Sequence, residues 1–316
     1  DVPPHDEPQL ATLEHLELEG GSNLPLSELL QAPVWRSLKS LTVPARLVAA
    51  VPAPLLGRLE ALGVSGKGIE VVKLPPGLVR LRYTTSHPKD FTLAVARAHR
   101  DLPTLSRWVH LPVQAGSSRT LRRMVREYTR EEYLGKVDAL RALVPDISLS
   151  TDIIVGYPGE TDADFAETIS LLERVEYDFI YSFEYSPRPD TPALKLRLRD
   201  DVPADTKRAR LVELQRVQAA ISRRRLGRWV GRTTPVLVEG RATRSVDELC
   251  GRTTGNEMVN FPLPVGVDAA TVIGQLVDVR ITAAGRHTLL GELASSSADL
   301  AALPPRPSVR RLAVLR

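Results

Sequence analysis

The sequence predicts an α/β protein with a parallel, helix-covered sheet at its centre. A small all-β barrel follows it, and a leucine-rich-repeat-like αβ segment precedes it. Three observations carry this reading. A leucine motif recurs through residues 1–76, helix and strand alternate through 77–229, and short alternating strands separated by Gly and Pro fill 230–293. Residues 294–316, rich in Ala, Ser, Pro and Arg, are expected to fray.

In the first segment, Leu13-Glu-His-Leu16-Glu-Leu18, Leu38-Lys-Ser-Leu41-Thr-Val43 and Leu59-Glu-Ala-Leu62-Gly-Val64 share one pattern. A repeat of about 20–29 residues with such a strand is how a leucine-rich array reads, each strand lending leucines to a stacked core. Short helices at 27–31 and 53–57 would link the strands. An ordinary αβ unit with leucine-rich strands is the alternative, and either fits a protein-contact role. Leu78-Val-Arg-Leu81-Arg-Tyr83 reads as a fourth repeat, so strand 59–64 is expected to pair with strand 78–83 and cover its edge.

The second segment alternates strands with helices. Strands are expected at 78–83, 109–113, 147–155 and 179–185. A helix begins after Gln114-Ala-Gly-Ser-Ser118, with Leu121 and Met124 on one face. Thr129-Arg-Glu-Glu132 and Thr161-Asp-Ala-Asp164 are capping boxes that open two further helices, the second running to Val175. Ligands in such sheets sit beyond the carboxyl ends of the strands. Those ends are 84–87, 114–118, 156–160 and 186–192. The glycine turns at 116 and 156–159 either offer N–H groups to an anion or polar cofactor, or are tight turns only. His87 and His110 lack a metal-pair spacing and read as packed or capping residues. Asp152 and Glu160 form a possible acid/base pair. The alternation Phe179, Tyr181, Phe183, Tyr185 reads as strand core.

In the third segment, strands at 235–238, 258–261, 274–281 and 289–293 make a small barrel of the kind that binds single-stranded nucleic acid. Arg232, Arg252, Asn256, Asn260 and Phe261 are its expected contacts, and Cys250 is an inert barrel residue.

Charge is uneven. The net is +4, but residues 1–76 hold six Lys/Arg against nine Asp/Glu, so the positive excess lies in the rest. Residues 207–232 carry nine basic residues, Arg223, Arg224, Arg228 and Arg232 among them, against Glu213 alone. That is either a phosphate-binding surface or a solvated helix face. No run of about 18 apolar residues exists, so no membrane span is expected. No signal peptide opens the chain, and its start at Asp1 points to a fragment or a processed product. Cys250 is the sole cysteine, which excludes an internal disulfide and leaves the cytoplasm as the expected location.

TTSHPKDFT (84–92), HLPVQAGSSRTLRRM (110–124), YTREEYL (128–134), STDIIVGYPGETDADF (150–165), YSPRPDTPA (185–193) and GRTTGNEMVNFP (251–262) resemble the MiaB-type tRNA methylthiotransferases. These are radical S-adenosylmethionine enzymes that methylthiolate an isopentenyl-adenosine beside the anticodon. The resemblance covers about 77–293. It implies the later strands of a partial radical-SAM (β/α) barrel and then a TRAM domain, with S-adenosylmethionine and 4Fe-4S clusters as cofactors and tRNA as partner. It places Gln114 and Ser117 in the S-adenosylmethionine pocket and lets Arg123 and Arg126 reach the cofactor carboxylate. Asp152, Gly156 and Pro158 then face the cofactor, Tyr185, Ser186 and Pro187 lie near its adenine, and Arg252, Asn256 and Asn260 contact tRNA. Val125 stands where the family has Asn, and Glu127 where it has Gly.

The family also needs three cluster cysteines in an N-terminal domain and a Cys-x3-Cys-x2-Cys loop after the first barrel strand. Neither is in this sequence, and cluster irons are held by thiolates. The chain by itself is therefore expected to lack radical chemistry. Three readings follow: part of a methylthiotransferase, a non-catalytic tRNA-binding protein, or a leucine-rich interaction protein. A protein partner for residues 1–76 and a monomeric state are expected.

Overall fold

The computed structural model describes residues 15–17, 40–44, 61–66, 80–85, 87–243, 245 and 247–294, with backbone only before residue 80 and at 84–85. The helices expected at 27–31 and 53–57, and the tail from 295, lie outside the described residues.

Strands β1 (His15–Glu17), β2 (Ser40–Pro44), β3 (Ala61–Gly66) and β4 (Arg80–Thr85) form one parallel sheet in that order. The register sets Leu16 opposite Leu41, Leu41 opposite Leu62, and Leu62 opposite Leu81. These are the matching positions of the sequence repeats. Strand β3 covers the edge of β4, in the register that the repeat implies.

Beside β4 lies a second parallel sheet of β5 (Trp108–His110), β6 (Ser148–Val155) and β7 (Phe179–Glu184), in that order. Leu81 joins the two sheets: its N–H donates to Thr104 O at 2.8 Å and its carbonyl accepts from Ser106 N at 2.8 Å. The helices on the outer face are α1 (Leu93–Asp101), α2 (Ser118–Arg123), α3 (Arg130–Leu143), α4 (Asp162–Val175) and, beyond the short α5 (Pro192–Lys195), the long α6 (Ala204–Gly227). Both capping boxes close as the sequence predicts, at Thr129/Glu132 and Thr161/Asp164.

Strand periodicity divides β6 cleanly. Leu149, Thr151, Ile153 and Val155 are fully buried under the helices. Ser148, Ser150, Asp152 and Ile154 therefore face the other side, the concave face of the half-barrel. On β7 the same side carries Phe179, Tyr181 and Phe183, which are 45%, 51% and 49% exposed. The sequence read these aromatics as core. That reading is corrected for these three, because Ile180 and Ser182 point at the helices while the partial barrel leaves the opposite face uncovered; Tyr185, just beyond the strand, does pack against the core.

The chain then closes a separate barrel in the order β10-β12-β11-β8-β9, from β8 (Thr233–Arg241), β9 (Glu248–Arg252), β10 (Met258–Pro262), β11 (Leu276–Ala284) and β12 (Leu289–Leu293). A short helix α7 (Ala269–Val272) lies between β10 and β11. The core includes Val236, Val238, Leu249, Val259, Phe261, Val279 and Leu289. No described helix is long and apolar enough to cross a membrane.

Candidate functional site

The carboxyl ends of β5, β6 and β7 gather most of the residues singled out in the sequence. Gln114 extends the sheet beyond β5: its N–H donates to Asp152 O and its carbonyl accepts from Ile154 N, both at 2.9 Å. Its φ of 74° lies in the left-handed region, which costs a non-glycine residue energy and is often found at functional sites. Gly116 follows. Its N–H donates to Thr168 Oγ1 at 3.0 Å, and a Cβ there would sit 2.3 Å from Thr168 Cα. Glycine is needed because α4 packs directly on the turn.

Ser117 is committed to structure. Its hydroxyl caps α2 and donates to Asp164 Oδ1 at 2.6 Å, and the residue is 1% exposed. Burial raises the Asp164 pKa, but hydrogen bonds from Ser117 and Thr161 and the nearby Arg119 hold it below the ordinary value. The hydroxyl of Ser117, the residue that the resemblance places in the pocket, is thus occupied as a helix cap.

Arg123, Pro158, Gly156 and Tyr185 do come together. Arg123 Nε donates to Pro158 O at 2.8 Å. Tyr157 bridges them: its hydroxyl donates to Arg123 O at 3.2 Å and its ring meets that of Tyr185 edge-on at 5.1 Å. Burial pushes the Tyr157 hydroxyl pKa up. Lys207 lies 5.2 Å above the Tyr185 ring and packs on Gly156, while its Nζ donates to both Asp200 oxygens, at 2.6 and 2.7 Å. Ser186 and Pro187 continue beyond β7, both exposed.

Both glycine N–H groups of the turn at 156–159 are already taken. Gly156 N donates to Glu160 Oε2 and Gly159 N to Asp201 Oδ1, both at 2.6 Å. Glu160 also accepts from Arg210 at 2.8 Å, and burial raises its pKa against that partner. Asp152 lies apart on the concave face, 3.4 Å from His110 Nε2, so the acid/base pair expected of Asp152 and Glu160 does not form. His110 is buried and also contacts Ser150 Oγ at 2.9 Å, while His87 caps the turn at Pro88. The packed and capping roles read for them hold.

Arg126 is the open element. Its Nε is buried and has no hydrogen-bond partner. A carboxylate would satisfy it, so the residues present fit a cofactor with a free carboxylate at this point. A cluster does not fit. Cys250 sits on β9 in the other domain, and no group of three His, Cys, Asp or Glu converges among the described residues.

The second barrel docks at the opposite, amino-terminal ends of the strands. Glu257 accepts from Ser148 Oγ at 2.6 Å and also from Thr253 Oγ1. Arg228 donates to Ser148 Oγ at 2.8 Å and lies 3.1 Å from Asp178. Arg252 donates to Glu239 at 3.3 Å and to Asn256 O at 3.0 Å. Arg228, Arg252 and Asn256, expected on RNA, are therefore engaged at or beside the seam between domains. Phe261, also expected on RNA, is 1% exposed in the barrel core, because β10 turns it inward. Asn260 is half-buried opposite Cys250. Arg223 and Arg232 are exposed, and Arg224 is exposed beside Glu176. Much of the basic segment is paired within the fold: Lys207 with Asp200, Arg210 with Glu160, and Arg225 with Asp178. Sequence reasoning missed Lys207, Arg210 and the Asp200–Asp201 pair as parts of the strand-end architecture. Their spacing from the turn, some 40 to 50 residues, carries no local signal.

Residues 65–172 match the radical SAM superfamily and residues 227–294 the TRAM domain. Over 234 residues the chain is 46% identical to a tRNA-2-methylthio-N(6)-dimethylallyladenosine synthase of Burkholderia thailandensis, covering 74% of this chain and 50% of that protein. The enzyme of the same name from Burkholderia multivorans is 47% identical over 237 residues, with the same coverage. Among solved structures, coproporphyrinogen III oxidase (HemN) from Escherichia coli, a radical SAM enzyme, overlays 66% of this chain and 58% of its own. The identity there is 14% and the TM-score 0.41. The chain spans about half the length of the curated relatives it matches. The chain thus carries radical SAM and TRAM regions in that order and is similar, over about half of their length, to tRNA-2-methylthio-N(6)-dimethylallyladenosine synthases.

Proposed function

We propose that this chain serves tRNA methylthiolation as the part that holds S-adenosylmethionine at the strand ends and docks tRNA beside the TRAM barrel. The observation that carries the reading is Arg126, whose buried Nε lacks an acceptor next to the Arg123–Pro158 and Tyr157–Tyr185 cluster. Gln114, with its left-handed backbone, extends the sheet at the same strand ends. Bound S-adenosylmethionine would supply the radical and methyl chemistry of the family. This chain's own residues orient it: Arg126 receives the carboxylate and Tyr185 borders the adenine. Cluster thiolates must come from residues other than those of this chain. Arg223 and Arg232 are exposed cations open to tRNA, with Arg224 exposed beside Glu176, and a cytoplasmic location follows from that substrate.

Calorimetry with S-adenosylmethionine tests the first half. Binding that weakens about tenfold or more in Arg126→Gln supports it, and equal binding in both proteins overturns it. Titration with tRNA at several salt concentrations tests the second half, with log K expected to fall by about 0.7–0.9 per phosphate contact. A flat salt response overturns it.

A second reading, a non-catalytic tRNA-binding protein, is favoured by the place of Cys250 on β9 of the TRAM barrel, away from the strand ends. Anaerobic reconstitution of this chain with iron and sulfide is expected to give no 5′-deoxyadenosine. Release of that product above a blank would overturn this reading.

A further inference from the structure

Strand β4 alternates its side chains, and Leu81 and Tyr83 are buried in the core that includes Val95 and Ala96. Arg80 and Arg82 therefore project to the other face of β4, at the amino-terminal end where the TRAM barrel docks. Arg80, 7% exposed, donates to the carbonyls of Arg252 at 2.8 Å and of Thr253 and Pro235 at 3.4 Å. Carbonyls satisfy its donors but cancel none of its charge. Among the described residues the ion-pair partner of Arg82 is Glu239, with Nη1 3.6 Å from Oε1. Its Nε and Nη2 are buried with no acceptor. Arg252 shares the same carboxylate at 3.3 Å.

Two guanidinium groups, of Arg82 and Arg252, thus share one carboxylate beside the charge of Arg80, and neither contact is as short as the roughly 2.7–2.9 Å of a charge-assisted hydrogen bond. The nearby Glu257 is already engaged by Ser148, Thr253 and Arg228. An unsatisfied buried donor forfeits the hydration it had in the unfolded chain. Burial depresses both arginines, Arg80 to about 10. A quarter of the Arg82 side chain stays exposed, so the seam opens to solvent there. An anion with several oxygens answers both deficits, charge and acceptors. A guanidinium fork matches a phosphate in shape as well as charge.

We propose that this seam, centred on Arg82 with Arg252 beside it, binds a phosphate group. A phosphodiester of RNA crossing from the TRAM barrel to the half-barrel is one source, and free phosphate is the other. The RNA source rests on the tRNA reading above.

The test compares the full-length chain with Arg82→Met and Glu239→Gln. An anticodon stem-loop RNA is titrated at several salt concentrations, and inorganic phosphate is titrated against the melting temperature. The RNA source is supported if Arg82→Met weakens RNA binding about threefold and lowers the salt slope by about one contact, while Glu239→Gln strengthens binding. The free-ion source is supported if phosphate raises the melting temperature of the wild type and of Glu239→Gln but not of Arg82→Met, with RNA binding unchanged. If neither response depends on Arg82, the inference fails. If the wild type binds no RNA at all, the tRNA reading fails, and the phosphate titration alone decides the seam. Arg82→Met removes unsatisfied donors, so it is expected to stay folded.

Discussion

Ser148 Oγ donates to Glu257 Oε1 at 2.6 Å, tying the first residue of β6 to the loop between β9 and β10. Arg228, just beyond α6, meets both partners, at 2.8 Å from Ser148 Oγ and 3.5 Å from Glu257. Gly255 permits the approach, since a Cβ there would sit 2.5 Å from Glu257 Oε2 and 2.6 Å from Ser148 Oγ. Gly255→Ala is therefore expected to force the docking loop out. Glu257→Ala removes a buried charged acceptor and leaves Arg228 with Asp178 alone among these carboxylates. Each substitution should cost about 2–4 kcal/mol of docking. Calorimetry checks this: one cooperative transition in the wild type should split into two.

Leu62 and Leu81 stand opposite each other across β3 and β4, and Leu81 N also donates to Thr104 O. The amides of 81–83 should exchange slowly, at rates set by sub-global opening. Exchange as fast as in an open loop would contradict the pairing. Hydrogen exchange read by mass spectrometry decides it.

His99 lies between Tyr83, whose hydroxyl is 2.6 Å from Nε2, and Ser106 O, 3.1 Å from Nδ1. Burial lowers its pKa to about 4 from an ordinary 6.5. The native state therefore holds it neutral while the unfolded chain takes up a proton. Stability is full above pH 6.5 and falls as pH drops from there toward 4, by an amount on the order of 3 kcal/mol. Urea midpoints at pH 7.5 and 4.5 measure the loss, and His99→Gln should flatten it.

Val125 adopts φ 57° with its side chain 55% exposed. A β-branched residue is strained in that left-handed conformation, whereas Asn tolerates it. Val125→Asn should stabilise the protein by about 1 kcal/mol. An unchanged or lower melting temperature would refute the strain.

Phe261 and Arg232 separate stability from binding. Phe261→Ala should cost about 3–5 kcal/mol, as a buried aromatic truncated in a small core. Arg232→Ala should leave the melting temperature within about 0.5 kcal/mol of wild type and weaken tRNA binding. A reversed outcome would return Phe261 to the RNA surface.

Local rules were enough for much of the fold. Capping boxes at Thr129 and Thr161 act over three residues, so they read directly from the sequence. The leucine repeat also disclosed the register Leu16–Leu41–Leu62–Leu81, because parallel pairing aligns equivalent positions of successive units. The strand-end turns were placed by the same logic, and Arg123, Pro158, Gly156 and Tyr185 meet there. Resemblance supplied what periodicity cannot, the chemistry that such an end performs in the family.

Tertiary structure decided which polar groups were still available. Ser117 and the N–H groups of Gly156 and Gly159 look like ligand donors in sequence, yet Asp164, Glu160 and Asp201 take them. Arg228 and Arg252 look like RNA contacts, yet they serve the seam. The aromatics of β7 alternate as core residues do, yet the half-barrel leaves them open. The physical reason is shared. A local pattern fixes where a side chain points, but hydrogen-bond and charge satisfaction depend on partners that only folding brings within 3 Å.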